Sequence, residues 1–282
     1  MIIAVASGKG GTGKTTIATN LAKSIGNSVQ LIDCDVEEPN SHLFLNPRIE
    51  RTEEVYLPNP RVDMGKCNYC GECAKICRFS AIVVIKENIL TFPELCHGCG
   101  GCLLVCPEDA ISEVPKPIGI LEQGRSDSVG FIHGRLEVGE AMSPPLIKAA
   151  RLLAARKGVV IIDSPPGTSC PVIAAVKGTD FCILVTEPTP FGLNDLELAV
   201  EVVQQLKIPV GVVINRSDIG DLAVKEFCEG RDIPILMEIP ENRQIAEAYS
   251  RGEMIIDVIP EYKKKFQELF ETIERISTGI TG

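Results

Sequence analysis

Tryptophan is absent from the 282 residues, and aromatic side chains make up only 5% of them, a low figure, while a hydrophobic content of 45% suits a globular protein. Positive charge is the scarcer sign. There are 28 Lys and Arg against 38 Asp and Glu, giving a formal net charge of −10 and a pI of about 5.0. This argues against a general nucleic-acid binder, which would carry a basic footprint. No apolar run approaches the ~20 residues of a membrane-spanning helix, so no span is expected. Met1 to Ala6 reads as a core strand rather than the head of a signal peptide, so no removable leader is expected and the chain is expected in the cytoplasm. Disulfides are rare in that compartment, and twelve cysteines there point to metal. The length allows one large α/β domain and one small module.

The first feature that is present is Ser7-Gly8-Lys9-Gly10-Gly11-Thr12-Gly13-Lys14-Thr15-Thr16. It follows the apolar run at the N-terminus and precedes Ile17, Leu21 and Ile25, which are spaced for one helix face. Gly8, Gly13, Lys14 and Thr15 fit the phosphate-loop pattern in the strand–loop–helix setting it requires. Glycine lets the backbone curl, so that N–H groups from Gly8 through Gly10, Gly11, Thr12 and Gly13 to Thr16 can turn toward phosphate oxygens. The helix beginning near Lys14 points its positive dipole end at the same anion. Lys14 is expected to reach the β- and γ-phosphates, and Thr15 to ligate Mg²⁺.

Val29 to Ile32 reads as a buried strand ending in Asp33-Cys34-Asp35, and acids at such a strand end lie where open α/β sheets bind ligands. The alternative is helix capping, with Asp35 or Asn40 opening a helix through Ser41 to Phe44. Ile118 to Glu137 is predicted to form a hairpin, and Ser143-Pro144-Pro145 to open a helix through Ala155. Gly158 to Ile162 is a continuous apolar strand ending at Asp163, followed by Ser164-Pro165-Pro166-Gly167. That is a Walker-B-type end, whose aspartate holds Mg²⁺ through water beside Thr15. Strands at Phe181 to Val185, Val210 to Ile214 and Ile235 to Ile239 follow, the first leading into a helix with Leu193, Leu196, Val200 and Val203 on one face. The last helix gathers Phe266, Leu269, Phe270, Ile273 and Ile276, flanked by Glu268, Glu271 and Glu274 as well as Lys263 to Lys265. That rim is not the basic one of a membrane-surface helix, so core packing is expected.

Between Pro58 and Pro117 the composition changes, and eight of the twelve cysteines fall there. Cys67, Cys70, Cys73 and Cys77 are spaced C-x₂-C-x₂-C-x₃-C, and Cys96, Cys99, Cys102 and Cys106 repeat the spacing, with Pro107 following. Two C-x-x-C pairs alone would suit a zinc ribbon, but the duplicated spacing resembles a bacterial two-cluster ferredoxin. In such modules the last cysteine of each motif serves the other cluster. The resemblance therefore implies one [4Fe-4S] cluster on Cys67, Cys70, Cys73 and Cys106, and a second on Cys77, Cys96, Cys99 and Cys102. Arg78 departs from the pattern, standing where a proline is usual; it either raises the potential of the cluster beside it or is simply solvated. His97 lies between two ligands and is assigned no role.

Lys9 within the loop, giving K-G-G-T-G-K-T-T, resembles the deviant phosphate loop of the MinD/ParA/Mrp branch of P-loop NTPases. With the cysteine insert, the whole chain resembles MinD-superfamily ATPases carrying a two-cluster ferredoxin domain. The resemblance implies a doubly wound, mostly parallel α/β domain at 1–57 and 118–282, with a small α+β ferredoxin domain inserted at 58–117. It also implies ATP with Mg²⁺, two [4Fe-4S] clusters and a nucleotide-dependent dimer, either of identical chains or with a paralogue. Lys9 would act in trans on the partner's phosphates, the alternative being a solvated loop lysine. Asp35 would position the attacking water, Asp33 support the Mg²⁺ shell, and Asn215 contact adenine. Asp218 leaves a trace of the guanine-reading pattern, so ATP is preferred and GTP stays open. The later C-x-x-C of Mrp-type carriers is missing: Cys170, Cys182 and Cys228, like Cys34, are expected to be buried structural residues. The expected activity is slow ATP hydrolysis coupled to electron transfer toward a redox or cofactor-maturation partner. The alternatives are an iron–sulfur assembly carrier, and a positioning ATPase whose clusters are structural.

Overall fold

In this computed structural model, which describes residues 1–278, strand β1 (Ile2–Ala6) leads into α1 (Lys14–Ile25), β2 (Val29–Asp33), the short α2 (Ser41–Leu45) and the long β3 (Arg48–Val62). The cysteine-rich region follows as α3 (Glu72–Ile76), β4 (Ile82–Ile85), β5 (Asn88–Thr91) and α4 (Gly101–Leu104). Next come β6 (Ile111–Ser126), β7 (Val129–Leu136), α5 (Ser143–Leu152), β8 (Val159–Asp163), α6 (Cys170–Val176), β9 (Phe181–Thr186) and α7 (Pro190–Gln205). The chain continues through β10 (Val210–Asn215), α8 (Ala223–Gly230), β11 (Ile235–Ile239), α9 (Arg243–Ser250), α10 (Ile255–Val258) and α11 (Glu261–Thr278). Two compact units result among the described residues: 1–52, 121–135 and the segment from 147 onward form the first, and 53–120 with 136–146 the second. The boundary thus falls inside β3, β6 and α5 and before the last residue of β7, and segment 136–146 joins the smaller unit.

Nine strands lie in the order β11-β10-β9-β1-β8-β2-β7-β6-β3. The pairs β1/β8, β1/β9, β9/β10, β10/β11, β2/β8 and β2/β7 are parallel. Parallel strands are covered on both faces, which is why β1, β8 and β9 read as unbroken apolar runs rather than alternating ones. One face carries Ile3, Val5, Leu31, Ile161 and Ile183 packed against Ile17 and Leu21 of α1 and Phe266, Leu269 and Ile273 of α11. Full burial of each such side chain contributes about 1.5–3 kcal/mol. The intervening residues Ala6 and Leu184 line a small void with Val172 and Val176 of α6 and Ala199 and Val203 of α7. Helices therefore cover both faces of a doubly wound sheet.

The terminal helix packs as the sequence pattern requires, except that Ile276 is 38% exposed and lies off the buried stripe. Helix α5 stops at Leu152, short of the expected Ala155. Strands β6 and β7 meet at the two-residue turn Asp127-Ser128, where Asp127 has a positive φ. The prolines read as edges of the cysteine-rich region lie inside strands: Pro58 and Pro60 in β3, Pro115 and Pro117 in β6. Each pair is two residues apart, and alternate backbone N–H groups point to the same edge. A strand loses donors along only one edge by this device.

In the second unit β4 and β5 form an antiparallel hairpin, and Cys73, Ile82 and Ile111 make a small core against which Cys77, Val84, Ile89, Cys102 and Cys106 pack. Among the described residues no helix is long and apolar enough to cross a membrane.

Candidate functional site

The carboxyl ends of β1, β8 and β2 are adjacent, with Asp163 in register with Val5 on one side and Asp33 on the other. The chain leaves β1 toward β2 on one side, whereas β9 lies on its other side, so the crevice beyond these strand ends is a topological switch point. The loop from Ser7 to Gly13 fills it. Gly11 and Gly13 have φ values of 79° and 98°, a left-handed backbone that favours glycine. At Gly8 a Cβ would stand 2.1 Å from the Asp195 carbonyl oxygen, so no side chain fits there. No side chain caps α1, which leaves its first-turn N–H groups, the usual seat of an anion, without a side-chain partner. Gly167 N–H donates to the Ser7 carbonyl at 3.0 Å, tying the segment after Asp163 to the loop.

Lys14 is buried at 7% exposure; burial pushes its pKa down, while Asp163, Asp35 and Asp33 oppose the shift. Burial likewise raises the carboxyl of Asp163, reinforced by Asp33 and opposed by the Thr15 hydroxyl, Lys14 and Ser41. Ser41 Oγ donates to Asp163 Oδ2 at 2.9 Å, whereas Asp163 Oδ1 is buried without a hydrogen-bond partner. A cation beside Thr15 would satisfy that oxygen, so the donor set fits Mg²⁺, which takes one or two carboxylates and completes its shell with water and phosphate. Asp33 is fully buried; Oδ1 accepts the Asp35 N–H, and Oδ2 accepts those of Asn40 and Ser41. It thus holds the segment bearing Asp35 and takes the Ser41 N–H at the start of α2, the kind of bond that the sequence pattern offered to Asp35 or Asn40. Burial pushes Asp35 up to about 6, with Asp163 adding to the shift.

These raised carboxylates set a pH response. Their folded pKa values exceed those of the unfolded chain, so the folded state takes up protons first and stability increases as pH falls through about 6. The Tm without metal should therefore rise between pH 7 and pH 5, and Mg²⁺ with nucleotide should flatten that rise. A metal-free Tm that falls over the same range would contradict the assignment.

Glu187, at the end of β9, was not singled out from sequence. It is 8% exposed; Oε2 lies 3.8 Å from Lys9 Nζ and Oε1 3.2 Å from an Arg216 Nη. Its signal was the one available for Asp163, an acid at the carboxyl end of a buried strand. Asn215 donates from Nδ2 to the Thr12 carbonyl at 3.0 Å and accepts the Arg216 N–H, so its amide is engaged with the phosphate loop. Asp218 accepts the Glu241 N–H. Cys34, Cys182 and Cys228 are buried, as expected, but Cys170 is exposed, at the first position of α6.

The eight remaining cysteines form a conformational repeat as well as a spacing repeat. Tyr69 N–H and Gly98 N–H donate to the sulfurs of Cys67 and Cys96, each two residues back, at 3.4 Å. Ala81 N–H and Ala110 N–H donate to Cys77 and Cys106, each four residues back, at 3.3 Å. Positive φ recurs at the matching positions Tyr69 and Gly98, Gly71 and Gly100, and Ser80 and Asp109. Burial and then the nearness of Cys67 and Cys70 push the Cys73 thiol up; burial and then Cys96 and Cys99 do the same for Cys102. Among the described residues no three such side chains converge on a single ion. A donor set of separated thiols, four of which receive backbone N–H bonds, fits a multi-iron cluster in which every iron takes one thiolate.

The glycine-rich loop, buried lysine and strand-end aspartate on a parallel doubly wound sheet define a P-loop ATPase. Residues 3–256 match the model of the CobQ/CobB/MinD/ParA nucleotide binding domain, and the chain belongs to that family. It is 32% identical to an uncharacterized protein of Methanocaldococcus jannaschii, covering 99% of this chain and 97% of that one. It is 26% identical to an iron–sulfur cluster carrier protein of the same organism, over 96% of this chain and 84% of the relative. Among solved structures, the septum site-determining protein MinD of Pyrococcus horikoshii, complexed with Mg-ADP, superposes with a TM-score of 0.62. The identity there is 20%, with 98% of this chain and 96% of that one covered, a likeness of fold.

Proposed function

We propose that this ATPase couples ATP-dependent dimerisation to electron transfer through two [4Fe-4S] clusters, toward a partner in redox metabolism or metal-cofactor maturation. The observation that carries the reading is the duplicated cysteine loop, with two backbone N–H···S bonds in each copy. The smaller unit is then an inserted dicluster ferredoxin domain. The Asn68–Glu108 hydrogen bond (2.9 Å) sets the loop of Cys67 and Cys70 beside Cys106, and the stacked rings of Phe79 and His97 set the loop of Cys96 and Cys99 beside Cys77. Both contacts favour the crossed ligand sets, Cys67, Cys70, Cys73 and Cys106 against Cys77, Cys96, Cys99 and Cys102. The clusters supply one-electron storage.

In the ATPase unit, Gly8 to Thr16 cradle the phosphates of ATP, Lys14 neutralises them, and Thr15 with Asp163 holds Mg²⁺. Asp35 positions the attacking water on the segment that Asp33 anchors. Lys9, paired with Glu187 in the single chain, moves to the partner's phosphates in the dimer. Asn215 reaches adenine by exchanging its bond to Thr12. The chain works in the cytoplasm.

A second reading, transfer of a cluster to an apo-protein, is favoured by the similarity to iron–sulfur cluster carrier proteins. Against a cluster bridging two ATPase units stands the thiol inventory: outside the eight-cysteine region the only exposed thiol among the described residues is Cys170. The test is an anaerobic redox titration followed by EPR, with and without ATP and Mg²⁺, on protein assayed for metal. About eight irons per chain and a nucleotide-dependent shift in potential or spectrum are expected. Two zincs in place of iron would end the redox reading.

A further inference from the structure

The two ligand loops share backbone conformation and N–H···S bonds, so those contributions to cluster potential cancel between them, and the side chains around each decide the difference. At equivalent places the repeat puts unlike pairs. Asn68 and Glu108, hydrogen-bonded at 2.9 Å, flank Cys67, Cys70 and Cys106. Their counterparts are His97 and Phe79, stacked with ring centroids 3.4 Å apart, which flank Cys96, Cys99 and Cys77. A carboxylate anchored beside the first ligand set thus has an uncharged ring as its equivalent beside the second.

The neighbouring sequence points the same way. Segments 66–76 and 106–109 carry Lys66 and Lys75 against Glu72, Glu108 and Asp109, while segments 77–83 and 95–105 carry Arg78 alone. Lys75 is already paired with Glu72 at 2.6 Å, so it does not offset Glu108. A carboxylate also lies near the second set, Glu113, whose Oε1 is 3.4 Å from where a Cβ on Gly100 would stand, while Arg78, next to Cys77 in sequence, carries the opposite charge. The stacked rings exclude some water, which disfavours the more negative reduced state. Both rings remain partly exposed, with Phe79 at 41%, so this is the smaller effect beside a full charge.

We propose that Glu108, held by Asn68, makes the two sites unequal electron acceptors: the cluster on Cys77, Cys96, Cys99 and Cys102 has the higher potential. Glu108 is a tuning residue that lowers the potential of the site on Cys67, Cys70, Cys73 and Cys106. In a chain holding one electron, that electron resides at the second site. This rests on the two-cluster reading above.

The test uses the full chain, purified anaerobically, assayed for iron and titrated with dithionite under EPR. Two resolved midpoints are expected. Glu108 and Asn68 are exposed, so water screens the charge, and Glu108→Gln should move the lower one upward by of the order of threefold in the reduced-to-oxidised ratio at fixed potential, about 28 mV for one electron. It should leave the upper one in place. Arg78→Gln should move only the upper midpoint, downward. A single midpoint for both clusters, or a Glu108→Gln shift of the upper midpoint or of neither, in protein with about eight irons per chain, overturns the proposal. Protein that holds zinc or no iron overturns the two-cluster reading instead, so the two failures are distinguishable. Asn68→Ala, which frees Glu108 without removing its charge, should produce a smaller upward shift of the lower midpoint; an unchanged one would count against the anchoring role.

Discussion

Lys14→Ala is expected to abolish nucleotide binding while leaving a folded chain. The side chain is 7% exposed and faces Asp163, Asp35 and Asp33. It is the cation that lets a polyphosphate approach three carboxylates, so its removal leaves repulsion where there was attraction. Hydrogen bonds to charged groups contribute about 1.5–3 kcal/mol each, and the phosphates stand to lose more than one. A loss of at least ~3 kcal/mol corresponds to binding weakened roughly 100-fold or more. Equilibrium binding of a fluorescent ATP analogue, with far-UV circular dichroism as the control for folding, reads the result. ATP affinity within a few-fold of the parent would remove Lys14 from the site. Lys9→Ala separates the two lysines: it should retain binding but neither dimerise nor turn over, because Lys9 is the more exposed of the two and pairs with Glu187 rather than with Asp163, Asp35 and Asp33. An active, dimeric Lys9→Ala protein would sink the role in trans.

The contrast between these lysines shows what a linear reading reaches. Lys14, Thr15 and Asp163 were legible because the phosphate loop and the Walker-B end are local patterns, each a strand end followed by a turn of fixed composition. The parallel sheet was legible for a related reason, since strands buried on both faces must be continuously apolar, as Val159–Asp163 and Phe181–Thr186 are. Glu187, Ser41 and the anchoring role of Asp33 were not, because each depends on a partner brought in by tertiary structure. Ser41, for instance, meets Asp163 across 122 residues of sequence. Strand β3 was not legible for a different reason: Pro58 and Pro60 read as an edge of the cysteine-rich region, and their spacing by two, which spares one edge of the strand, has meaning only once a strand is assumed. The cysteine spacing gave the repeat, but the pairs that distinguish its halves, Asn68 with Glu108 and Phe79 with His97, join residues 40 and 18 positions apart.

Cys106→Ala is the second variant with a large expected effect, because it tests which thiols act together. With the crossed ligand sets, it removes the fourth ligand of the site at Cys67, Cys70 and Cys73, and iron should fall from about eight to about four per chain. A single variant does not say which cluster was lost, but pairs do. Adding Cys67→Ala to Cys106→Ala strikes the same site twice, so iron should stay near four. Adding Cys96→Ala strikes both sites, and iron should approach zero. If each motif held its own cluster, the two double variants would exchange outcomes. The contacts on either side of the repeat argue for crossing: Glu108 reaches Asn68, between Cys67 and Cys70, and Phe79 reaches His97, between Cys96 and Cys99. Cys73, Cys77, Cys102 and Cys106 border one small apolar core, to which both motifs therefore contribute. Such a core holds only Ile82, Ile111 and a few partly buried neighbours around the thiols. Loss of one cluster should therefore loosen the unit, which protease sensitivity within residues 53–120 would report alongside the iron assay.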